Sequence, residues 1–181
     1  MMAARCGRLL KLNAVANDLG VAQTIARDWL AVLEAGYIAF RLPLQHRNFG
    51  TRPVKTPKLY FHVTGLAAWR PGCGAEGLKR ITEGAALQFH PMRGALLENM
   101  AVVEYLKHCR QQGLANGLYC WRDNIGNGVD LLIERAGELW SVAMKSGATV
   151  QPEWLRNPVT RQRHAASCSA IRRLRVKERP C

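Results

Sequence analysis

One long amphipathic stretch followed by three short apolar runs limits the possible folds of this chain more than any other feature. The stretch His90 to Cys109 has helical periodicity, with an apolar stripe through Leu96, Met100 and Val103. Glu98 lies off that stripe. The runs, which turn residues separate, are Leu118 to Asp123, Gly128 to Glu134 and Leu139 to Lys145. A helix followed by a three-stranded meander predicts a mixed α/β (α+β) fold of the sandwich type.

The first seventy residues have a different pattern, that of two short helices joined by a tight turn. Asn13 is placed to cap a helix that ends at Leu19, and Gly20 is placed to end it with a positive φ. A second helix is predicted from Gln23 to Ala35. In this helix apolar side chains recur every four residues, at Ile25, Trp29 and Leu33. This spacing predicts that they form the face packed on the core. The pattern is that of a helix-turn-helix.

Two strand-like runs follow these helices, Tyr37 to Leu44 and Lys58 to Gly65, and a hairpin behind a helix-turn-helix predicts a winged helix. The loop between the runs is basic. The side chains predicted to contact nucleic-acid phosphates are Arg27 on the second helix and Arg47, Arg52 and Lys55 in the loop. The alternative is that the winged helix is a packing and interaction module, because its second helix carries one arginine and no lysine.

The formal net charge of +13 and the pI of about 10.1 favour polyanionic partners, with DNA or other nucleic acid first among them. The six cysteines form no C-x-x-C pair, which argues against a zinc site. No uncharged run approaches the length of a membrane span, and we expect no membrane partner. Free thiols and the lack of an apolar leader near Met1 predict a cytoplasmic location.

One carboxylate, Asp130, stands inside an otherwise apolar strand, and Lys145 ends the next strand. One interpretation is a metal-assisted phosphodiester hydrolase in which Asp130 binds a divalent metal, Glu98 reaches in from the helix, and Lys145 steadies the water or the scissile phosphate. The other interpretation is an aspartate at a strand edge that faces water and pairs with Lys145. Spacing alone leaves both interpretations open.

Several runs together resemble the domain-of-unknown-function family found at the carboxyl end of many bacterial and archaeal AAA-type ATPases. The matching runs are LNAVANDLGVAQTIARDWLAVLEAGYIAFRLP (Leu12 to Pro43), RPVKTPKLYFHVTGLA (Arg52 to Ala67), RGALLEN (Arg93 to Asn99), GNGVDLLIE (Gly126 to Glu134) and MKSGATV (Met144 to Val150). The resemblance covers about residues 8 to 153. It implies a winged helix followed by a partial restriction-endonuclease-like sandwich of the PD-(D/E)XK class, attached to an ATPase.

The chain departs from that family in two respects. No G-x-x-x-x-G-K-[ST] sequence occurs, so ATP hydrolysis by this polypeptide is excluded, and we expect the ATPase to be a separate partner or a missing part of a truncated chain. In the nuclease motif Asp130 and Lys145 fit the first and last positions, but Ala143 stands where the resemblance implies a glutamate. Because Mg²⁺ and Mn²⁺ need carboxylate ligands, Glu98 and Asp130 would hold either metal weakly.

The resulting hypothesis has four parts along the chain: a winged-helix module (1–70), a connector (71–89), a nuclease-like module that is incomplete (90–153), and a basic tail (154–181) that forms a solvated helix or a disordered arm. The leading function is a non-catalytic carboxyl-terminal fragment of an AAA-type ATPase-family protein that binds nucleic acid through its winged helix, without a cofactor. The alternatives are a PD-(D/E)XK nuclease that uses Mg²⁺ or Mn²⁺, and an interaction module for a partner ATPase.

Overall fold

The computed structural model describes residues 2–45, 56–68, 91–114, 117–122, 128–135, 138–144 and 170–174; at Glu138, Ala143 and 170–174 it describes the backbone alone. The chain divides into two units, Met1–Leu42 with Thr56–Lys107 and Pro43–Lys55 with His108–Cys181. Helices and antiparallel strands occur together, so the fold is α+β as predicted. The four predicted modules stay a prediction, and the two units divide the chain differently, since residues 93–107 group with the amino-terminal elements.

The first unit begins with a short 3₁₀ helix (Met2–Arg5), followed by helices α1 (Leu12–Leu19) and α2 (Gln23–Ala35). Gly20 ends α1 with a φ of 66°, in the left-handed region, as predicted. The predicted cap at Asn13 is wrong: the helix begins at Leu12, its cap residue is Lys11, and no side chain caps it. The two helices pack against each other through small and aliphatic side chains. Those that are buried include Val15, Ala16, Ala26 and Leu30.

An antiparallel pair of strands follows, β1 (Ala39–Leu42) and β2 (Lys58–Phe61), with Ala39 opposite Phe61 and Leu42 opposite Lys58. Both strands are shorter than predicted. The backbone of residues 6–10 runs along the other side of β2, where Gly7 donates to the carbonyl of Leu59 at 2.8 Å. Helix α3 (Thr64–Ala68) follows β2 directly. Strand β2 therefore has neighbours on both sides, and all four of its residues are buried.

Helix α4 (Arg93–Gln111) confirms the long helix predicted from the periodicity. Its residues as far as Lys107 belong to the first unit and its last turn to the second. The buried stripe differs from the predicted one in one position: Leu96 and Val103 are buried, whereas Met100 is 49% exposed. Asn99, which is fully buried, occupies the stripe in its place.

The second unit is built on a four-stranded antiparallel sheet in the order β3 (Leu118–Arg122), β4 (Gly128–Arg135), β5 (Glu138–Ala143) and β6 (Ala170–Leu174). The first three strands confirm the predicted meander. Residues 43–45 add to the sheet beside β3, where Cys120 donates to the carbonyl of Pro43 at 2.8 Å. The apolar core of the sheet consists of Trp121, Val129, Leu132 and Leu139.

Strand β6 corrects the prediction for the basic tail, which had no strand. Its backbone pairs with β5 from Leu139 opposite Leu174 to Ala143 opposite Ala170. The sheet edge at β5, predicted to be incomplete, is therefore paired. The rest of the tail lies outside the described residues.

Candidate functional site

Glu98, predicted as a metal ligand, is engaged by two side chains of β2. The ammonium of Lys58 lies 2.8 Å from Glu98 Oε1, and the hydroxyl of Tyr60 donates to the same oxygen at 2.5 Å. The side chains of Lys58 and Glu98 are only 10% and 15% exposed. A carboxylate in this setting balances a mostly buried positive charge, so Glu98 has a structural role.

The next residue, Asn99, joins α4 to the end of β2 through its side-chain amide. Its Oδ1 accepts from the backbone N–H of Phe61 at 2.8 Å, and its Nδ2 donates to the carbonyl of Phe61 at 3.0 Å and to Thr64 Oγ1 at 2.9 Å. Because buried backbone groups need partners, this amide satisfies two that β2 leaves open. The sequence interpretation missed Asn99; the signal was a polar residue at helical spacing between Leu96 and Val103.

Cys6 lies against the same residues and is fully buried. Its thiol donates to Asn99 Oδ1 at 3.2 Å. Burial, with a further contribution from the negative charge of Glu98, raises the pKa of Cys6 from 9.0 to about 12. A thiol that stays protonated is a poor nucleophile and a poor metal ligand, which makes Cys6 a packing residue.

Asp130 lies in β4 of the second unit and is half-buried. Its Oδ2 accepts from the backbone N–H of Met144 at 3.3 Å. The paired register of β4 and β5 places Leu131 opposite Val142, and the same register one residue further on places Asp130 opposite position 143. Two positions of the predicted motif, Asp130 and Ala143, therefore lie opposite each other on adjacent strands; the third, Lys145, lies outside the described residues.

The other predicted site residues are only partly covered by the structure. Glu98 and Asp130 belong to different units. Arg27 lies exposed on α2. Lys145, and the loop cations Arg47, Arg52 and Lys55, lie outside the described residues. Among the described residues, no group of three or more His, Cys, Asp or Glu side chains could hold a metal ion.

Helix α2 carries a second candidate site, which consists of exposed apolar side chains. Ile25, Trp29 and Val32 are 42%, 50% and 69% exposed, so the prediction that Ile25 and Trp29 pack on the core is wrong. The buried face is the neighbouring stripe through Ala26 and Leu30. A cavity of about 410 Å³, here called the α2 groove, is lined entirely by apolar residues, namely Met2, Val15, Leu19, Ala26, Trp29, Val32 and Leu33.

An aromatic group marks the start of the hairpin. The ring of Tyr37 lies 5.9 Å from His62, and Phe40 lies 4.7 Å from His62 and 5.7 Å from Tyr60 between ring centroids. Tyr60 is buried, whereas Tyr37 is 69% exposed. The rings therefore form a row from the interior of the first unit to its surface.

Two families match successive parts of the chain. Residues 1–76 match the one described as Domain of unknown function (DUF8612), and residues 93–176 match the one described as Domain of unknown function (DUF4143). The second match extends well beyond the resemblance noted above and includes β6. Neither description gives an activity, a ligand or a partner.

Two curated mycobacterial proteins are similar to the chain. They are the uncharacterized protein Rv2008c of Mycobacterium tuberculosis and the uncharacterized protein Mb2031c of Mycobacterium bovis, each 31% identical over 149 residues. The alignment covers 82% of this chain and 31% of each relative, so the chain matches about a third of their length. No solved structure matches the chain. No helix among the described residues combines the length and the apolar character that a membrane crossing requires.

Proposed function

We propose that this chain is a non-catalytic module that docks a protein partner through the α2 groove, and that the partner is an ATPase of the AAA type. The observation that carries the proposal is the exposure of Ile25, Trp29 and Val32 along a helix that buries only the neighbouring stripe through Ala26 and Leu30. Large exposed apolar patches on folded proteins mark interaction surfaces. Half-exposed tryptophans beside an apolar groove are the typical anchors of such surfaces.

The charge of α2 supports a protein partner at this surface. The helix carries one basic residue, Arg27, and two acidic ones, Asp28 and Glu34. A helix that reads nucleic acid needs cations toward the phosphates, and α2 has a net charge of −1. In the winged-helix interpretation α2 is the recognition helix, and its apolar face suits packing against protein.

Three observations support an ATPase as the partner. The chain resembles a family attached to AAA-type ATPases, and it contains no phosphate-binding loop of its own. About two thirds of each mycobacterial relative lies outside the alignment, which leaves room there for a further domain. Covering the half-exposed ring of Trp29 and its apolar neighbours would contribute about 2–4 kcal/mol to docking.

The nuclease-like sheet of the proposed PD-(D/E)XK class is inactive in this proposal because its described residues supply too few metal ligands. The register places an alanine position beside Asp130, and Glu98 already neutralises Lys58. One half-buried carboxylate, with its Oδ2 bonded to the backbone of Met144, is too few ligands for a hard divalent ion. The sheet would then act as a scaffold.

The test is direct binding of the whole 181-residue chain to the part of the M. tuberculosis relative outside the alignment, produced as a separate polypeptide. We expect binding by calorimetry, weakened at least tenfold by Trp29→Ala and by Val32→Asp. Met100→Ala is the matched control, because Met100 is 49% exposed and Trp29 is 50% exposed. Unchanged affinity of the Trp29→Ala variant, or no binding by the natural chain, would contradict the proposal.

Nucleic-acid binding is the second candidate function, and the net charge of +13 favours it. Binding through phosphate contacts requires an affinity that falls steeply with salt. We expect the affinity for a 20-base-pair duplex to fall at least tenfold between 50 mM and 200 mM NaCl. An affinity independent of salt, or no binding at 50 mM NaCl, would remove this candidate.

A further inference from the structure

Tyr37 has a backbone conformation that its residue type disfavours. Its φ is 53°, and among the described residues it is the one non-glycine residue with a positive φ. The position is the end of α2, where Tyr37 N–H donates to the carbonyl of Glu34 and Ile38 N–H to that of Leu33. This bond pair is the Schellman motif, whose left-handed residue is usually glycine. Gly36, one residue earlier, has an ordinary φ of −80°.

A side chain held in a disfavoured conformation at a surface calls for a functional explanation. Tyr37 does not serve the core, since 69% of it is exposed. Its ring stands at the outer end of the row that continues through His62 to Phe40. The His62 ring lies beside the Tyr37 ring at an interplanar angle of 56°, and the exposed part of Tyr37 is accessible to a planar ligand.

We infer that Tyr37, supported by His62 and Phe40, is a stacking platform for an unpaired nucleobase of a single-stranded nucleic acid. The inference rests on the second candidate function, nucleic-acid binding, and specifies the ligand as a single strand. Stacking on aromatic side chains beside a positive surface is how proteins hold single strands without reading their sequence. DNA and RNA share this chemistry.

Charge complementarity favours this ligand over a protein segment. The whole chain carries a net charge of +13. In the same unit, Arg8 and Lys11 are exposed and form no ion pair with any other described residue. The carbonyl of Arg8 also accepts from the backbone N–H of Leu59, so Arg8 lies beside β2, on the side away from β1.

The test uses the full chain and fluorescein-labelled 12-mers of oligo(dT) and oligo(rU) in fluorescence anisotropy at 50 mM NaCl. We expect both to bind, Tyr37→Gly to weaken binding at least tenfold, and Tyr37→Phe to retain it within twofold. Tyr37→Gly removes the ring and suits the left-handed backbone, so its thermal melting temperature should not fall. Leu66→Ala is the control, because Leu66 is also a large exposed apolar residue of the same unit, 48% exposed, and lies outside the α2 groove.

The outcomes separate the inference from the function on which it rests. If neither the single strands nor a duplex bind at 50 mM NaCl, the second candidate function fails and the inference fails with it. If the strands bind and Tyr37→Gly binds them equally well, only the inference fails. If Tyr37→Gly leaves oligonucleotide binding unchanged but weakens binding to the part of the M. tuberculosis relative outside the alignment, the platform is a protein contact and the inference is overturned.

Discussion

The ammonium of Lys58 and the carboxylate of Glu98 form a mostly buried ion pair, 2.8 Å apart, that joins β2 to α4 within the first unit. Tyr60 adds a hydrogen bond to the same carboxylate oxygen. These contacts give Glu98 a structural explanation that needs no metal. The ion pair joins two residues that are 40 positions apart in the sequence.

Glu98→Gln is expected to destabilise the chain by about 3 kcal/mol, because it removes the negative charge that lies 2.8 Å from the mostly buried ammonium of Lys58. The measurement is urea unfolding at pH 7. Glu104→Gln is the control on the same helix: Glu104 pairs with Lys107 at the surface, and its loss should cost less than about 0.5 kcal/mol. Equal effects of the two variants would mean that the buried pair has no special role.

Gly20 ends α1 and Tyr37 ends α2, each with a positive φ. Replacing these two residues should change the free energy of unfolding in opposite directions. Tyr37→Gly should stabilise the chain by about 1 kcal/mol, since glycine adopts a positive φ without the steric penalty of a side chain. Gly20→Ala should destabilise it by about 1 kcal/mol for the same reason, because the φ of Gly20 is 66° and no atom would contact the added methyl within 4 Å. Thermal unfolding would detect both changes, and shifts of the same sign would contradict the explanation.

The raised pKa of Cys6 predicts that the folded chain loses stability at alkaline pH. The folded chain keeps the thiol protonated to about pH 12, whereas an unfolded chain releases the proton near 9.0. The stabilisation is therefore complete below pH 9 and is lost as the pH rises from 9 to 12. Between pH 8 and 10.5 we expect the natural chain to lose about 2 kcal/mol more than Cys6→Ala. The free energy of unfolding is measured with urea at both pH values. If the natural chain and Cys6→Ala lose the same amount, Cys6 is not the cause of the pH dependence.

The helices and the strands of the meander could be predicted because their signals are local. Strands β3, β4 and β5 are apolar runs between turn residues, and Gly20 ends α1 wherever the helix packs. The buried face of α2 could not be predicted in the same way. The stripe through Ile25 and Trp29 and the stripe through Ala26 and Leu30 are both apolar. The second stripe is the buried one, because α1 packs closely against α2 and a small residue such as Ala26 fits between them.

The candidate sites depend on contacts between distant parts of the chain, and the sequence contains little information on these. The sequence pattern singles out Glu98 as a residue off the apolar stripe, but it contains no signal for the partner Lys58. Strand β6 was missed because arginines obscure its alternation. The placement of Asp130 beside position 143 follows from the strand register, which the turn between β4 and β5 helps to set.

The last prediction concerns the alanine in the nuclease-like motif. Ala143→Glu would add a carboxylate at the position opposite Asp130, and positions directly opposite on antiparallel strands lie about 5 Å apart. Because hard divalent ions bind through carboxylates, we expect the affinity for Mn²⁺, measured by calorimetry, to rise at least tenfold. The same substitution in an Asp130→Asn background should show no rise, which controls for non-specific binding to an added charge. Plasmid cleavage in Mn²⁺ by the Ala143→Glu variant alone would mean that one missing ligand separates this sheet from a nuclease. Tight Mn²⁺ binding or cleavage by the natural chain would contradict the non-catalytic assignment, because the alanine would then not have removed the metal site.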